Sequence, residues 1–239
     1  MARLLLVLLS VVVCAAQPCV LTIAAASDLA PFRNAFVAQF NNAPSCKLVF
    51  TFSSSGQLAS QIEHGAPYDL YLSASEDLVR KLADRGLVEP ASIVVFARGR
   101  LGLWAPASTQ PINLRDLASA HYKKIAIANP SHAPYGMAAK QALEKAGRWE
   151  GLKDKLVLAE NVRQALQFAE TGNVDAVIAS WSLLRTKPGA SLIDLKLHSE
   201  IRQTLGIMKA SSNKVASRAF ADWLAQGDGR KLLQEAGFY

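Results

Sequence analysis

The chain has 239 residues, 51% of them hydrophobic and 19% charged, with a formal net charge of +7. That is enough apolar content for one large or two modest domains with real cores, and it excludes an intrinsically disordered chain. The basic excess would suit nucleic acid. It is instead scattered over helical faces (Arg80, Lys81 and Arg85; Lys153 and Lys155) with no basic stripe interleaved with aromatics, so it reads as a solvated surface that mildly favours anions.

At the N-terminus, Met1-Ala2-Arg3 precedes an apolar run over 4–13 and the small residues Cys14-Ala15-Ala16. This is the pattern of a secretory signal over 1–16, with a mature chain starting at Gln17. The run is shorter than the roughly 20 residues a membrane-spanning helix needs. Val13 and Pro18 stand where lipoprotein processing at Cys14 or Cys19 would expect small residues. A periplasmic location is therefore expected, and removal of Arg3 leaves 25 − 19 = +6. Cys19 and Cys46 then remain in an oxidising compartment, where an even count favours a disulfide. Each lies just before a strand candidate, 20–25 and 47–52. If those strands are parallel neighbours, their starts lie within bridging reach. Two separate thiols are the alternative.

Strands then alternate with helices. A strand over 21–26 is followed by a helix over 28–40 with Leu29, Phe32, Phe36 and Phe40 on one face and Ser27 as its natural N-cap; Asn41-Asn42-Ala43-Pro44 breaks it. A strand over 48–52, a helix over 56–64, a strand over 69–73 and a helix over 75–85 ending at Gly86 complete a βαβαβα order, which implies a parallel sheet covered on both faces. Strands over 93–97 and 101–105 surround Arg98-Gly99-Arg100, where the chain is expected to cross into a second lobe. That lobe holds a strand over 125–128, a helix over 136–146, a strand over 156–158, a helix over 162–171 and a strand over 175–179. A return strand over 204–208 and helices over 212–225 and 229–236 pack back on the first lobe. The expectation is an α/β clamshell, each lobe a mostly parallel sheet flanked by helices: 17–98 plus 204–239 form lobe 1, and 99–203 form lobe 2. Ligands of such folds bind in the cleft facing strand carboxyl ends.

Four strand–helix junctions point at that cleft: Ala24-Ala25-Ala26-Ser27-Asp28, Phe52-Ser53-Ser54-Ser55-Gly56, Asn129-Pro130 through Ala133-Pro134-Tyr135-Gly136, and Ala159-Glu160-Asn161-Val162. Each leaves unpaired N–H groups and the positive end of a helix dipole at a strand's carboxyl end. None contains Lys or Arg. Converging helix N-termini make an anion site from neutral donors, which points to a binding protein for a small oxyanion more than to an enzyme.

Taken together, Ala24-Ala25-Ala26-Ser27-Asp28-Leu29, Ser53-Ser54-Ser55-Gly56 with Gln61-Ile62-Glu63-His64-Gly65-Ala66-Pro67-Tyr68-Asp69, Ala133-Pro134-Tyr135-Gly136-Met137-Ala138 and Glu160-Asn161-Val162 resemble the periplasmic molybdate-binding proteins of ABC importers (type II substrate-binding proteins) over essentially the whole mature chain. The resemblance implies a tetrahedral dianion, molybdate or tungstate, held between two lobes. Ser27 and Ser55 match hydroxyl donors. Asp28, Tyr135 and Val162 match positions that give backbone N–H groups. It further implies a permease partner and a monomer, with no cofactor and no free metal cation. Ala179 stands where many members carry a Tyr whose hydroxyl reaches the anion; the hydroxyl of Tyr135 is the expected substitute.

Rival readings find less support. Ser53-Ser54-Ser55-Gly56 is not a nucleophile elbow, His64, His121, His132 and His198 lack metal-ligand spacing, and no phosphate loop is present. His132 lies near the proposed cleft but reads as a surface-loop residue. A sensor domain would need a DNA-binding segment. Another oxyanion, sulfate or phosphate, remains the alternative within the class.

Overall fold

A computed structural model describes residues 19–40 and 46–239. The export signal over 1–16 and the helix break at Asn41-Asn42-Ala43-Pro44 lie outside the described residues.

The first sheet is built from β1 (Val20–Ala26), β2 (Lys47–Ser53), β3 (Leu70–Ser73) and β4 (Val94–Gly99), with helices α1 (Arg33–Gln39), α2 (Ser55–Glu63) and α3 (Glu76–Asp84) in the connections. After Arg100 the chain enters a second sheet made of β5 (Leu101–Trp104), β6 (Ile125–Ala128), β7 (Leu156–Ala159), β8 (Ala176–Ser180) and the short β9 (Ser191–Leu192). Its helices are α4 (Pro134–Lys145), α5 (Trp149–Leu152), α6 (Val162–Glu170) and α7 (Trp181–Leu184). β10 (Ile201–Ile207) returns to the first sheet, followed by α8 (Lys214–Gln226) and α9 (Asp228–Glu235). The sheet orders are β2-β1-β3-β10-β4 and β7-β6-β8-β5-β9. This is the two-lobe α/β architecture the alternating pattern implies.

Each sheet is mixed, and the mixing follows from the crossings. β1 runs parallel to β2 and β3, and β6 runs parallel to β7 and β8, because helices connect them. β10 is antiparallel to β3 and β4, and β5 is antiparallel to β8 and β9, because these strands carry the chain across and back. The two crossing segments lie side by side, with Ile201 paired to Gly99.

Both faces of β1 are covered. Leu21, Ile23 and Ala25 pack with Phe36 and Phe220, while Ala24 packs with Leu58, Ile62 and Tyr71. Edge-to-face contacts of Phe36 with Trp223 (ring centroids 5.8 Å) and of Phe40 with Phe220 (5.1 Å) hold α8 against α1. The chain terminus adds to the β4 edge, where the Tyr239 N–H donates to the Arg98 carbonyl at 3.0 Å.

Three local expectations need correction. The segment read as one helix over 28–40 opens as a 3-10 helix, Ser27–Phe32, before α1 begins. Pro31 is the cause: it has no N–H for an α-type bond back to Ser27, and its ring crowds that carbonyl. Ser27 is not the N-cap; Ala26 occupies that position and no side chain caps the turn. The return strand starts at Ile201, three residues earlier than expected, because Arg202 and Gln203 break the apolar run that marks it in the sequence.

Parallel pairing of Val20 with Lys47 sets Cys19 and Cys46 at the head of adjacent strands, and they form a disulfide with Cα atoms 4.6 Å apart. The bridge closes a loop with a sequence separation of 27. Chain-entropy arguments assign it about 3 kcal/mol of stability. Reduction should lower the urea midpoint by a matching amount, and thiol titration of the denatured, unreduced mature protein should find no free thiol; two would contradict the bridge.

Candidate anion-binding site

Register delivers the site. β1 and β2 end together, with Ala26 opposite Ser53, and β6 and β7 end together, with Ala128 opposite Ala159. The residues after these strand ends face one another across a small cavity between the sheets. Ser27, Asp28, Ser55, Tyr135 and Val162 all line it, along with Ser53, Ser54, Ala133 and Pro134. No Lys or Arg is among the lining residues.

Ser55 is the first residue of α2, and its side chain does not cap that helix. It is fixed instead by its neighbours. The Ala74 N–H donates to Ser55 Oγ at 2.9 Å, and the buried Tyr71 hydroxyl donates to the Ser55 carbonyl at 2.7 Å. An oxygen that already accepts from Ala74 keeps its own proton to donate. Ser27 is 4% exposed, and its hydroxyl has no partner among the described residues.

The second-lobe candidates are backbone groups. Asn161 caps α6, its Oδ1 accepting from the Arg163 and Gln164 N–H groups at 3.1 and 3.0 Å. That leaves Val162 as the first-turn residue whose N–H the cap does not take. Tyr135 follows Pro134 in the first turn of α4, where Pro is preorganised for the helix start and its missing N–H costs nothing. The Asn161 cap was legible as an Asn before an amphipathic run but was not singled out in the sequence.

The Tyr135 hydroxyl lies beside the crossing strands. It accepts from Gln203 Nε2 at 3.2 Å and fills the space over Gly99, where an added Cβ would stand 2.3 Å from it. Gln203 Nε2 also donates to Asp28 Oδ2 at 2.6 Å. Tyr135, Asp28 and Gln203 thus form one buried cluster beside the crossing strands, which the sequence could not reveal because Gln203 lies 175 residues from Asp28. Ala179 is fully buried in β8, with no hydroxyl to offer.

Burial pushes the Asp28 carboxyl up to about 6 from its ordinary value near 3.8; hydrogen bonding from Tyr135 and Gln203 opposes this without overcoming it. Asp28 Oδ1 has no partner among the described residues. Burial, reinforced by the Asp28 charge, holds the Tyr135 hydroxyl well above its usual range, so it stays protonated.

His132 also departs from its reading as a surface-loop residue. Its Nδ1 lies 2.9 Å from Ser54 Oγ of the opposite lobe, and its carbonyl accepts from the Gly56 N–H at 2.9 Å.

A two-lobe fold with neutral donors at an inter-lobe cavity defines a solute-binding protein, and the comparisons agree. Residues 21–239 match the family model of bacterial extracellular solute-binding proteins, and the chain belongs to that family. It is similar to the molybdate-binding protein ModA of Azotobacter vinelandii, at 30% identity over 234 residues, spanning 94% of this chain and 92% of that protein. ModA of Rhodobacter capsulatus is 30% identical over 193 residues, spanning 80% of this chain and 77% of that one. The solved periplasmic molybdate-binding protein of Azotobacter vinelandii superposes with a TM-score of 0.84 at 26% identity, covering 92% of this chain and 98% of that one. The family resemblance read from the motifs is borne out.

Asp28 makes stability depend on pH. Its folded pKa is raised above its unfolded one, so the folded state is the better proton binder between about pH 4 and 6. The Asp28 contribution to stability is greatest below that window, falls as pH rises through it and is least above about 6. Asp28→Asn should remove the slope and raise stability at pH 7.5 by up to about 3 kcal/mol, the equivalent of the shift. Urea unfolding at pH 4, 5, 6 and 7.5 checks this; a wild-type profile that rises over the window contradicts it.

Proposed function

We propose that this protein captures molybdate or tungstate outside the cytoplasmic membrane and delivers it to the permease of an ABC importer. The supporting observation is that all four strand–helix junctions meet at one cavity whose lining includes no Lys or Arg. Ser27 and Ser55 supply hydroxyl donors, and Asp28, Tyr135 and Val162 supply backbone N–H groups. Similarity to the two ModA proteins supports the choice of anion.

The donor set suits the chemistry. A dianion taken out of water needs every oxygen satisfied. Hydrogen bonds to a charged group contribute about 1.5–3 kcal/mol each, so several in a ring bind tightly. Neutral donors also avoid an ion pair that would slow release to a transporter. In this reading the protein acts as a monomer with no cofactor and no catalytic step. Residues 1–16 direct export to the periplasm and are removed, and the lobes divide as 17–98 plus 204–239 against 99–203. A hydrogen phosphate protein would instead use the unpartnered Asp28 Oδ1 as acceptor for the ligand's proton.

Calorimetric titration of the mature protein separates these readings. Molybdate and tungstate should bind alike and at least about a hundredfold tighter than sulfate or phosphate. Preferred binding of sulfate or phosphate would reject the molybdate assignment and leave the oxyanion site standing.

The two serines should differ in an informative way. Ser27→Ala and Ser55→Ala should each weaken binding by roughly 1.5–3 kcal/mol, about ten- to over a hundredfold. Only Ser55→Ala should destabilise the unliganded protein, by about 1–3 kcal/mol, because it strands the Ala74 N–H. Thermal shifts with and without ligand measure both effects, and unchanged affinity in both variants would remove the serines from the site.

A further inference from the structure

Beside the anion cavity the two lobes meet along a seam that supplies no donor to the proposed ligand. The first lobe contributes the start of α2, and the second contributes the loop before α4. The Gly56 N–H donates to the His132 carbonyl at 2.9 Å. His132 Nδ1 lies 2.9 Å from Ser54 Oγ. The Gln57 amide donates to the Glu160 carboxylate, whose Oε2 is also 4.0 Å from His132 Nε2. One residue of the second lobe is thus gripped by both its main chain and its ring.

The contact requires glycine. A Cβ on Gly56 would stand 2.5 Å from the His132 carbonyl oxygen and 2.9 Å from its Cβ. The obstructing oxygen belongs to the backbone of a loop that is itself pinned, since the His132 and Ala133 N–H groups both donate to the Asn129 carbonyl, at 3.3 and 2.9 Å. It cannot turn aside as a flexible side chain would. The seam also adjoins the cavity on both sides: Ser55 precedes Gly56, Ala133-Pro134 follows His132, and all three line the cavity. When the seam is made, the wall between the lobes is shut.

We infer that Gly56 and His132 form an inter-lobe latch that holds the closed state and so governs how slowly a bound oxyanion leaves. His132 is a positioning residue, acting on the ligand through lobe closure. The inference rests on the oxyanion-binding reading. Once the lobes open, the Gly56 N–H returns to water, so each latch bond contributes only its net value and acts as a brake that can be released.

Gly56→Ala tests this cleanly. Alanine is the better helix former by up to about 1 kcal/mol, so the unliganded variant, open at the seam, should stay folded and keep its thermal stability. Closure should be obstructed. In stopped-flow tryptophan fluorescence with sodium molybdate, release should be at least about tenfold faster while association changes little. His132→Ala keeps the main-chain bond and loses the ring contact, so release should accelerate about fivefold, and His132→Asn should recover part of this. If wild type binds molybdate and Gly56→Ala releases it at the wild-type rate, the latch is wrong. If wild type binds no tetrahedral oxyanion, the functional reading fails. Solution X-ray scattering of the unliganded proteins then decides the latch: an expanded Gly56→Ala beside a compact wild type supports it, and identical curves overturn it.

Discussion

On the proposed reading, the structure is organised around the difficulty of holding a doubly charged anion without a counter-cation. No Lys or Arg lines the cavity, although the chain carries a formal charge of +7. Donors must therefore come in number and from fixed positions, because desolvating the anion costs far more than any one hydrogen bond returns. Parallel strands in register meet this requirement. Each ends at the same level as its neighbour and hands the chain to a turn or helix whose first N–H groups lack internal acceptors. The surface charge is left to act at long range, where it draws anions toward the cleft without gripping them.

Two lobes also need joining, and the joint brings in the least comfortable group in the molecule. Asp28 is fully buried where the crossing strands pass, with Gln203 on one oxygen and no partner for the other among the described residues. A buried carboxylate beside an anion site opposes occupation while it is ionised, and its raised pKa is the sign of that stress. An anion in the cavity would favour the neutral acid further. Tyr135 ties the same cluster to the second lobe, so the chemistry of the joint and the geometry of the cavity share residues.

Much of the fold was legible because it rests on periodicity and turn chemistry. The strand over 125–128 has the limits its apolar run indicates, and α3 stops where Gly86, with φ of 73°, can turn the chain. The five proposed anion ligands share one cavity because each follows a strand end, which is a local feature. Contacts that depend on tertiary proximity were not legible. His132 meets Ser54 across 78 residues, and a loop histidine carries no mark of such a partner. Ser27 looked like a cap because a serine before a helix usually is one; Pro31 four residues later changes the turn and removes that role.

The fate of the Tyr135 hydroxyl bears on selectivity. Ala179 offers no hydroxyl in β8, and the Tyr135 hydroxyl accepts from Gln203 above Gly99. Discrimination between tetrahedral anions then depends less on counting side-chain donors and more on where the two lobes stop when they close. Backbone N–H groups at helix starts cannot follow a smaller anion as a flexible hydroxyl can. An anion that leaves them short strands several polar groups, at about 1–3 kcal/mol each. On the latch reading, that stopping point falls where main chain meets main chain, at Gly56 and His132. On that reading the residues that set the size of the cavity lie beside the ligand rather than against it.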